Sequence, residues 1–395
     1  MIKKRLQDIA LNITDGKHGD CEGAENSGFY FISCKDVHDG AIHYDGARQI
    51  TEKDFLDTHK RTMLEPNDIL VTNSGTIGRM ALVKDVPTTY KTTFQKSVAI
   101  IKPNQEIIRP AYLYYCLLNC VNQFINQSNG SAQKNLLLGT MRNFEIEYEE
   151  EFDKQDKIIN ILQTYDSLIE NNRKQIKLLE EAAQRLYKEW FINLRFPGYE
   201  EVEIVDGVPN GWQKLPMSGV GDYMNGFAFK PTDWQENGLP IIKIKEMSNG
   251  IAEDTPRNNG ERVPQKYLIK AGDILFSWSA TLMAIIWEGE DGWLNQHLFK
   301  VSPAEGIGRE YLLQSLQCTK EEFKNLTTGS TMKHIQRGKL DQVYVNVPDK
   351  SIMKKYSDIC ENYREQIIAL SRKKALLREA RDRILPKLMS GEIEV

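Results

Sequence analysis

The sequence repeats itself. No other feature constrains its fold as strongly, because a chain made of two copies of one unit folds as two similar domains. Tyr112-Leu113, Gly130-Ser131 and Lys134 recur as Tyr311-Leu312, Gly329-Ser330 and Lys333, each at an offset of 199. Downstream, Ile161, Tyr165, Ile169, Leu178-Leu179, Glu181-Ala182 and Arg185 recur at an offset of 198 as Ile359, Tyr363, Ile367, Leu376-Leu377, Glu379-Ala380 and Arg383. Upstream, Phe29–Gly40 aligns with Leu239–Gly250 at an offset of 210, and Asp68-Ile69-Leu70 aligns with Asp273-Ile274-Leu275. The matches keep their order while the offset drifts in small steps, as loop insertions produce. Each copy spans about 200 residues.

Each copy has a mixed part followed by a long helix. Short β-rich runs (Asp68–Val71, Lys96–Ile101, Gly272–Ser277) are punctuated by Gly, Asn, Pro and Asp. A helical stretch over about residues 111–126 and 310–326 follows, then a Gly-Ser loop, then a late strand near Phe144–Tyr148 and Val343–Val347. From Phe152 to Phe196 there is neither Pro nor Gly, and breakers stand at Pro197-Gly198 and Gly391. Ile158, Leu162, Tyr165, Ile169, Asn172, Ile176, Leu179, Ala183, Leu186 and Trp190 step by four and three in alternation, a sustained heptad seam. In the second helix Tyr356, Tyr363, Leu370, Leu377 and Ile384 recur every seven residues, while the companion series Cys360, Ile367, Lys374, Arg381 and Leu388 is polar in its middle. Two matching seams separated by a domain predict an antiparallel coiled coil, with Asn172 as a register-setting polar residue; two separate amphipathic surface helices are the alternative. The expected fold class is α+β: two mixed α/β domains related by internal duplication and separated by two long helices. The expected boundaries are 1–150 and 199–349 for the domains, 151–198 and 350–395 for the helices.

Composition narrows the class further. A length of 395 residues is a prior for two or three domains, and 41% hydrophobic with 27% charged residues excludes wholesale disorder. The longest apolar-leaning run, Leu275–Trp287, is too short to span a bilayer, and the basic start Lys3-Lys4-Arg5 has no apolar segment behind it, so no signal peptide and a cytoplasmic location are expected. Six cysteines form no Cys-x-x-Cys pair, which predicts reduced thiols and no structural zinc or other metal site. The net charge of −4 speaks against a generic nucleic-acid coat.

An antiparallel helix pair with one copy of a domain at each end is a ruler with two readers. About 30 residues of helix separate the readers by roughly 45 Å, on the order of 13 base pairs of B-DNA. Because the copies have diverged, their half-sites should differ. The duplicated domain-plus-helix layout resembles the specificity subunit of a type I restriction-modification enzyme over essentially the whole chain. The most specific pieces are the Gly-Ser loops (residues 130–136 and 329–335), the Asp-Ile-Leu strands and the stretch Leu178–Trp190 ending in Trp190-Phe191. The resemblance implies two target recognition domains that read an asymmetric bipartite site in double-stranded DNA. It also implies that the helices space the domains and dock two methyltransferase subunits, joined by restriction subunits. No cofactor is expected on this chain; S-adenosylmethionine, ATP and Mg are expected in the partner subunits.

The candidate DNA contacts follow from side-chain chemistry. Gly130, Ser131 and Lys134, with Gly329, Ser330 and Lys333, combine close backbone approach, a small donor and a positive charge. The second loop continues with His334, Arg337 and Lys339, a basic cluster in an acidic domain. A turn before a strand is the alternative reading of each loop. Ser74, Thr76 and Arg79 after one strand, and Ser277, Trp278 and Ser279 after its counterpart, carry groups suited to base readout. Lys35 in the first copy, and Lys243 and Lys245 in the second, lie on paired segments and are suited to phosphates, with Gln95-Lys96 and Gln296-His297 as weaker candidates.

Catalytic machinery is not found: there is no Gly-x-x-x-x-Gly-Lys loop, no Gly-x-Gly-x-x-Gly, no Asn-Pro-Pro-aromatic or Asp-Pro-Pro-aromatic motif and no Gly-x-Ser-x-Gly. The run Glu147, Glu149, Glu150, Glu151 reads as the solvated start of a helix. The expectation is a non-catalytic reader. An enzyme (a nuclease or methyltransferase with a drifted active site) and a coiled-coil adaptor holding two protein-binding domains are the competing readings. The charge distribution favours a reader that works with partners. Residues 1–150 carry 17 basic and 19 acidic groups, 151–198 carry 8 and 8, 199–349 carry 15 and 21, and 350–395 carry 11 and 7. A net acidic reader holds bulk DNA poorly by itself, since phosphate neutralisation supplies most non-specific affinity.

Overall fold

The computed structural model describes residues 1–127, 135–252, 254–279, 281–326 and 337–395. They divide into two compact units, Met1–Asn171 with Lys373–Val395, and Asn172–Arg372. The helix Phe152–Tyr187 begins in the first unit and ends in the second, and the helix Lys350–Met389 does the reverse, so the two run in opposite senses.

Both units carry the same sheet. In the first, the strands Ala10–Asp15, Val98–Pro103, Ile69–Thr72 and Met80–Leu82 pair in that order, all antiparallel. In the second, Gly221–Asn225, Leu298–Pro303, Ile274–Ser277 and Met283–Ile286 repeat the order and the sense. Each unit adds a parallel pair, Tyr30–Ile32 with Thr92–Phe94 and Leu239–Ile242 with Gly292–Leu294. Each closes a strand near its start on its last, Ile2–Arg5 on Glu145–Tyr148 and Gln213–Pro216 on Tyr344–Val347. The duplication read from scattered residues is a duplication of topology.

Why these runs are strands follows from their two-sided burial. In the first unit Ile69 and Val71 enter one hydrophobic core and Leu70 the other. In the second, Ile274 and Phe276 face one core and Leu275 the other. Successive strand residues point to opposite faces, so an uninterrupted apolar run is what a doubly covered strand requires. The helical stretches expected over residues 111–126 and 310–326 are each two helices, Pro110–Asn119 with Val121–Asn126, and Arg309–Cys318 with Lys320–Asn325.

The Asp-Ile-Leu repeat has a physical cause. Asp68 accepts the Glu65 amide at 2.8 Å and Lys102 Nζ at 2.8 Å, and Asp273 accepts the Lys270 amide at 2.8 Å and Lys300 Nζ at 2.7 Å. One carboxylate closes the turn before the strand and pairs with a lysine two strands' width of sequence later, in both copies. Burial pushes the Asp68 carboxyl up even with Lys102 beside it.

Acidic side chains order the starts of both long helices. Asp349 accepts the amides of Ser351 and Ile352 at 2.7 and 3.1 Å. Glu149 accepts those of Glu150 and Glu151; burial works to raise its carboxyl, but these amides and Lys154 hold it below the usual carboxylate range. The acidic run before Phe152 therefore includes a group that closes the turn ahead of the helix as well as solvated ones. The first helix ends in a wider π turn over Lys188–Ile192, where Trp190 and Phe191 are both buried. No seam residue of the first helix is exposed, and Asn172 is buried in it, its Nδ2 without a hydrogen-bond partner among the described residues. The polar interruption at Arg381 is a packed ion pair: Nη1 donates to Asp166 at 2.6 Å, and Asp166 accepts the Tyr115 hydroxyl at 2.6 Å on its other oxygen.

Lysine 102 is expected to matter more than its counterpart, because the side chain of Asp68 is 6% exposed and that of Asp273 23%. Lys102→Met should cost about 3 kcal/mol at pH 7, since it strands a buried charge, and Lys300→Met about 1 kcal/mol. Burial raises the Asp68 carboxyl in the folded state and loss of Lys102 raises it further, so the Lys102→Met penalty is full only where the variant's Asp68 is ionised and shrinks as pH falls and that carboxyl takes up a proton. Denaturation by urea at pH 7 and pH 5, followed by far-UV circular dichroism, checks both the ranking and the sign.

Candidate nucleic-acid interface

At one edge of the first unit, segments far apart in sequence are tied together by backbone hydrogen bonds. The Lys96 amide donates to the Lys17 carbonyl at 3.0 Å, and the Gln95 amide to the Ile32 carbonyl at 2.9 Å. The Asn73 amide donates to the Ser97 carbonyl at 3.1 Å, the Cys34 amide to Ser97 Oγ at 3.2 Å, and the Leu136 amide to the Asn73 carbonyl at 2.8 Å. Lys17, Lys35, Ser74, Thr76, Arg79 and Lys96 thus belong to neighbouring segments, together with the residues that leave the first Gly-Ser loop. Lys35, Thr76 and Lys96 are exposed, and Arg79 and Ser74 half-buried. Lys35, Arg79 and Lys96 form no ion pair with any described residue, whereas Lys17 Nζ lies 3.5 Å from Asp57. Cations at a sheet edge without acidic partners are what a phosphate contact needs.

The second unit repeats these ties at offsets of 210, 205 and 200: the Gln296 amide donates to the Phe227 carbonyl, Asn295 to Ile242 and Trp278 to His297, at 2.9, 3.1 and 3.5 Å. Gly16 and Gly226 hold equivalent places, and each is fixed by close approach. A Cβ on Gly16 would lie 2.0 Å from the Phe94 carbonyl oxygen, and one on Gly226 2.2 Å from that of Asn295. On this common frame the side chains differ. Lys17 stands where the second copy has Phe227, Lys96 where it has Gln296, and Asn73 where it has Trp278. Lys17 was not singled out from the sequence; extending the 210 offset upstream of Phe29 to the Gly-Lys and Gly-Phe pairs is the signal that finds it.

Several candidates take other roles. Ser277 is fully buried; its hydroxyl accepts the Met283 amide at 2.9 Å and bonds the Thr281 carbonyl. Its counterpart Thr72, also buried, accepts the Arg79 amide at 2.9 Å. Both hydroxyls close the loop after the strand, so Ser277 shapes the edge instead of meeting a ligand there. Ser279 is buried as well. Trp278 is half-buried, its ring 5.9 Å from those of His297 and Phe299. Lys243 lies over the Trp234 ring at 4.5 Å. Lys245 pairs with Asp254 at 2.5 Å and holds that carboxyl below the usual range. Lys339 donates to Gln342 at 3.3 Å within the turn Arg337–Gln342. Gly130, Ser131, Lys134, Gly329, Ser330, Lys333 and His334 lie outside the described residues, as does the Arg337 side chain.

With the duplicated frame established, its kinship is decisive. The family described as "Type I restriction modification DNA specificity domain" matches residues 3–181 and again 209–378. The chain belongs to the type I restriction-modification specificity family. Each match takes in one mixed domain and much of the helix after it, so the family unit is the repeat itself. The chain is 25% identical over 371 residues to the type I restriction enzyme MjaIX specificity subunit of Methanocaldococcus jannaschii, covering 89% of this chain and 83% of that one. It is 22% identical over 368 residues to the HindI specificity subunit of Haemophilus influenzae, covering 74% and 80%. The crystal structure of the type I S subunit from M. genitalium has a TM-score of 0.50 at 14% identity, covering 98% of this chain and 96% of that one, which shows a shared fold. A specificity subunit reads DNA and is not catalytic, in keeping with a chain that carries two recognition domains. No helix among the described residues is long and apolar enough to cross a membrane.

The loop-closing hydroxyls give a local test. Ser277→Ala and Thr72→Val should each leave a buried amide unpaired, costing about 1–2 kcal/mol locally. Amide exchange should quicken at Met283 in the first variant and at Arg79 in the second, with the distant strands unchanged; equal exchange in variant and parent would remove these roles.

Proposed function

We propose that this specificity subunit reads an asymmetric bipartite DNA site, with residues of about 1–150 meeting one half and 199–349 the other. The observation that carries the reading is a repeated frame with unlike edges: the same backbone ties present Lys17, Lys96 and Asn73 in one copy and Phe227, Gln296 and Trp278 in the other. A conserved frame positions the reader, and exchanged side chains alter what is read. In this reading Lys35, Arg79 and Lys96 hold phosphates in the first half-site, the two Gly-Ser loops approach the backbone, and Trp278 contributes apolar contact in the second.

The long helices space the recognition domains and dock two methyltransferase subunits, to which restriction subunits are added. S-adenosylmethionine, ATP and Mg then belong to the partners, and the complex works in the cytoplasm. A chain of net charge −4 relies on such partners to close around the duplex. The alternatives of an enzyme or of a purely protein-binding adaptor have no observation in their favour.

Methylome sequencing of cells carrying this chain with its methyltransferase checks the reading: one split, asymmetric motif is expected, and its absence despite complex formation would defeat it. In the purified complex, Lys35→Ala and Lys96→Ala should weaken binding about equally on all sequences and lower the slope of log K against log salt by about 0.9 each. Trp278→Ala should instead change preference within the second half-site while leaving that slope unchanged.

A further inference from the structure

The second unit holds a cleft that the first unit fills with its own chain. The cleft measures about 590 Å³ and lies among the end of the strand Met283–Ile286, the helices Ile244–Asn249 and Arg309–Cys318, and the stretches of both long helices that belong to this unit. At the offset of 210 its lining residues Met247 and Gly250 correspond to Val37 and Gly40. There the first unit has a hairpin, Val37–His38 paired with Ala41–Ile42. The hairpin turn is packed down. Asp39 accepts Arg378 Nη2 at 2.7 Å, Gly40 bridges to Ala81, and a Cβ on Gly40 would lie 3.0 Å from the Tyr114 hydroxyl. Arg378, Ala81 and Tyr114 are the counterparts of Glu180, Ile285 and Leu313, all of which line the cleft. The second unit coils the same segment into a helix, and the space stays open.

The walls of the cleft have a definite chemistry. Five of the lining residues are glutamates, against Lys177 and Arg364. Glu310 accepts Arg364 Nε and Nη2 at 3.0 and 3.3 Å, and Glu246 accepts the Lys243 amide and the Thr255 hydroxyl at 3.0 and 3.2 Å. Glu180 and Lys177 are engaged as well. Glu288 accepts Arg364 Nη1 at 3.3 Å on one oxygen, and its side chain is 44% exposed. Its second oxygen and the exposed Glu181 have no partner among the described residues. Gln314 also lines the cleft; it is 4% exposed, and its Oε1 has no hydrogen-bond partner among the described residues. In the first unit the residue in its place, Tyr115, donates to Asp166 at 2.6 Å. A buried acceptor left open requires a donor, and rotation about the soft terminal torsion of Gln314 turns it to the cleft. Met247, Ile251 and Ile285 supply an apolar wall.

We propose that this cleft binds an aliphatic polyamine, with ammonium groups on Glu181 and Glu288, an N–H donated to Gln314, and the methylene chain along the apolar wall. Open acceptors beside an apolar surface call for a cation that carries both donors and a hydrocarbon chain. A hard metal ion leaves the apolar wall unused, and an anion meets the glutamates. The volume is that of a small-ligand cleft. The strand Met283–Ile286 reaches the edge proposed to meet DNA with Met283 and the cleft with Ile285 and Ile286, so the ligand leaves that edge clear. It adds positive charge to a domain with 15 basic and 21 acidic groups.

Isothermal titration of the full-length chain with spermidine, in the absence of DNA, tests this. One spermidine per chain is expected, with no binding of the neutral 1,4-butanediol and no displacement by an equal concentration of magnesium chloride. Glu181→Gln and Glu288→Gln should each weaken binding about tenfold, and Gln314→Leu about fivefold. Glu379→Gln, at the counterpart of Glu181 in the first unit, should leave binding unchanged. Circular dichroism of each variant separates loss of the site from loss of fold. Absence of saturable binding or displacement by magnesium overturns the proposal. So does spermidine binding that survives in a folded Glu181→Gln/Glu288→Gln variant, or that falls as much in Glu379→Gln.

Discussion

Each recognition domain completes its hydrophobic core with residues from both long helices, and the rest of the architecture depends on that sharing. In the first unit Ile158 and Leu162 from one helix and Leu385, Leu388 and Met389 from the other join the core built on Tyr112, Leu113 and Leu117. In the second, Tyr187, Trp190 and Phe191 meet Tyr356 and Cys360 against Tyr311 and Leu312. Tyr187 donates to or accepts from Ser315 Oγ at 2.9 Å, and its ring lies 5.5 Å from that of Tyr311. Helices that supply core residues to a domain cannot be separated from it without exposing large aromatic surfaces. Spacer and reader are therefore one folding problem in each unit, with packing as the dominant contribution.

A second layer of order lies in the polar groups that both copies keep. The Asp68–Lys102 and Asp273–Lys300 pairs, the hydroxyls of Thr72 and Ser277, and the close approaches at Gly16 and Gly226 fix the same backbone twice. The hydroxyls and glycines lie beside the edge proposed to meet DNA, and the Asp–Lys pairs at the other end of the same strands. A frame held by buried bonds tolerates change in the side chains that project from it, which is the property a reader of variable sequence needs. The Arg109–Asp156 pair of the first unit and the Arg364–Glu310 pair of the second show the same economy between domain and helix with different residues.

Local regularity was readable from the residues themselves. The heptad seam from Ile158 to Trp190, the Asp-Ile-Leu strands and the late strands near Tyr148 and Val347 all depend on near-neighbour spacing, which a linear pattern records. Places where two distant segments meet were not readable in this way. Ser277 looked like a contact residue because small polar groups are common in loops, and only the sheet register puts its hydroxyl under the Met283 amide. Arg381 looked like an interruption of the seam because its partner, Asp166, lies in the other helix.

The sequence by itself determined that the chain is one unit used twice, that each copy ends in a long seamed helix, and that it carries no recognisable catalytic motif. These follow from periodicity and repetition, which survive divergence of individual residues. Tertiary structure alone decided that Lys17 and Lys96 share an edge, that Lys96 corresponds to Gln296, that Ser277 is interior, and that a hairpin fills in one copy the space that the other leaves as a cleft. Those facts belong to strand register and turn geometry, where a displacement of one residue moves a side chain to the opposite face.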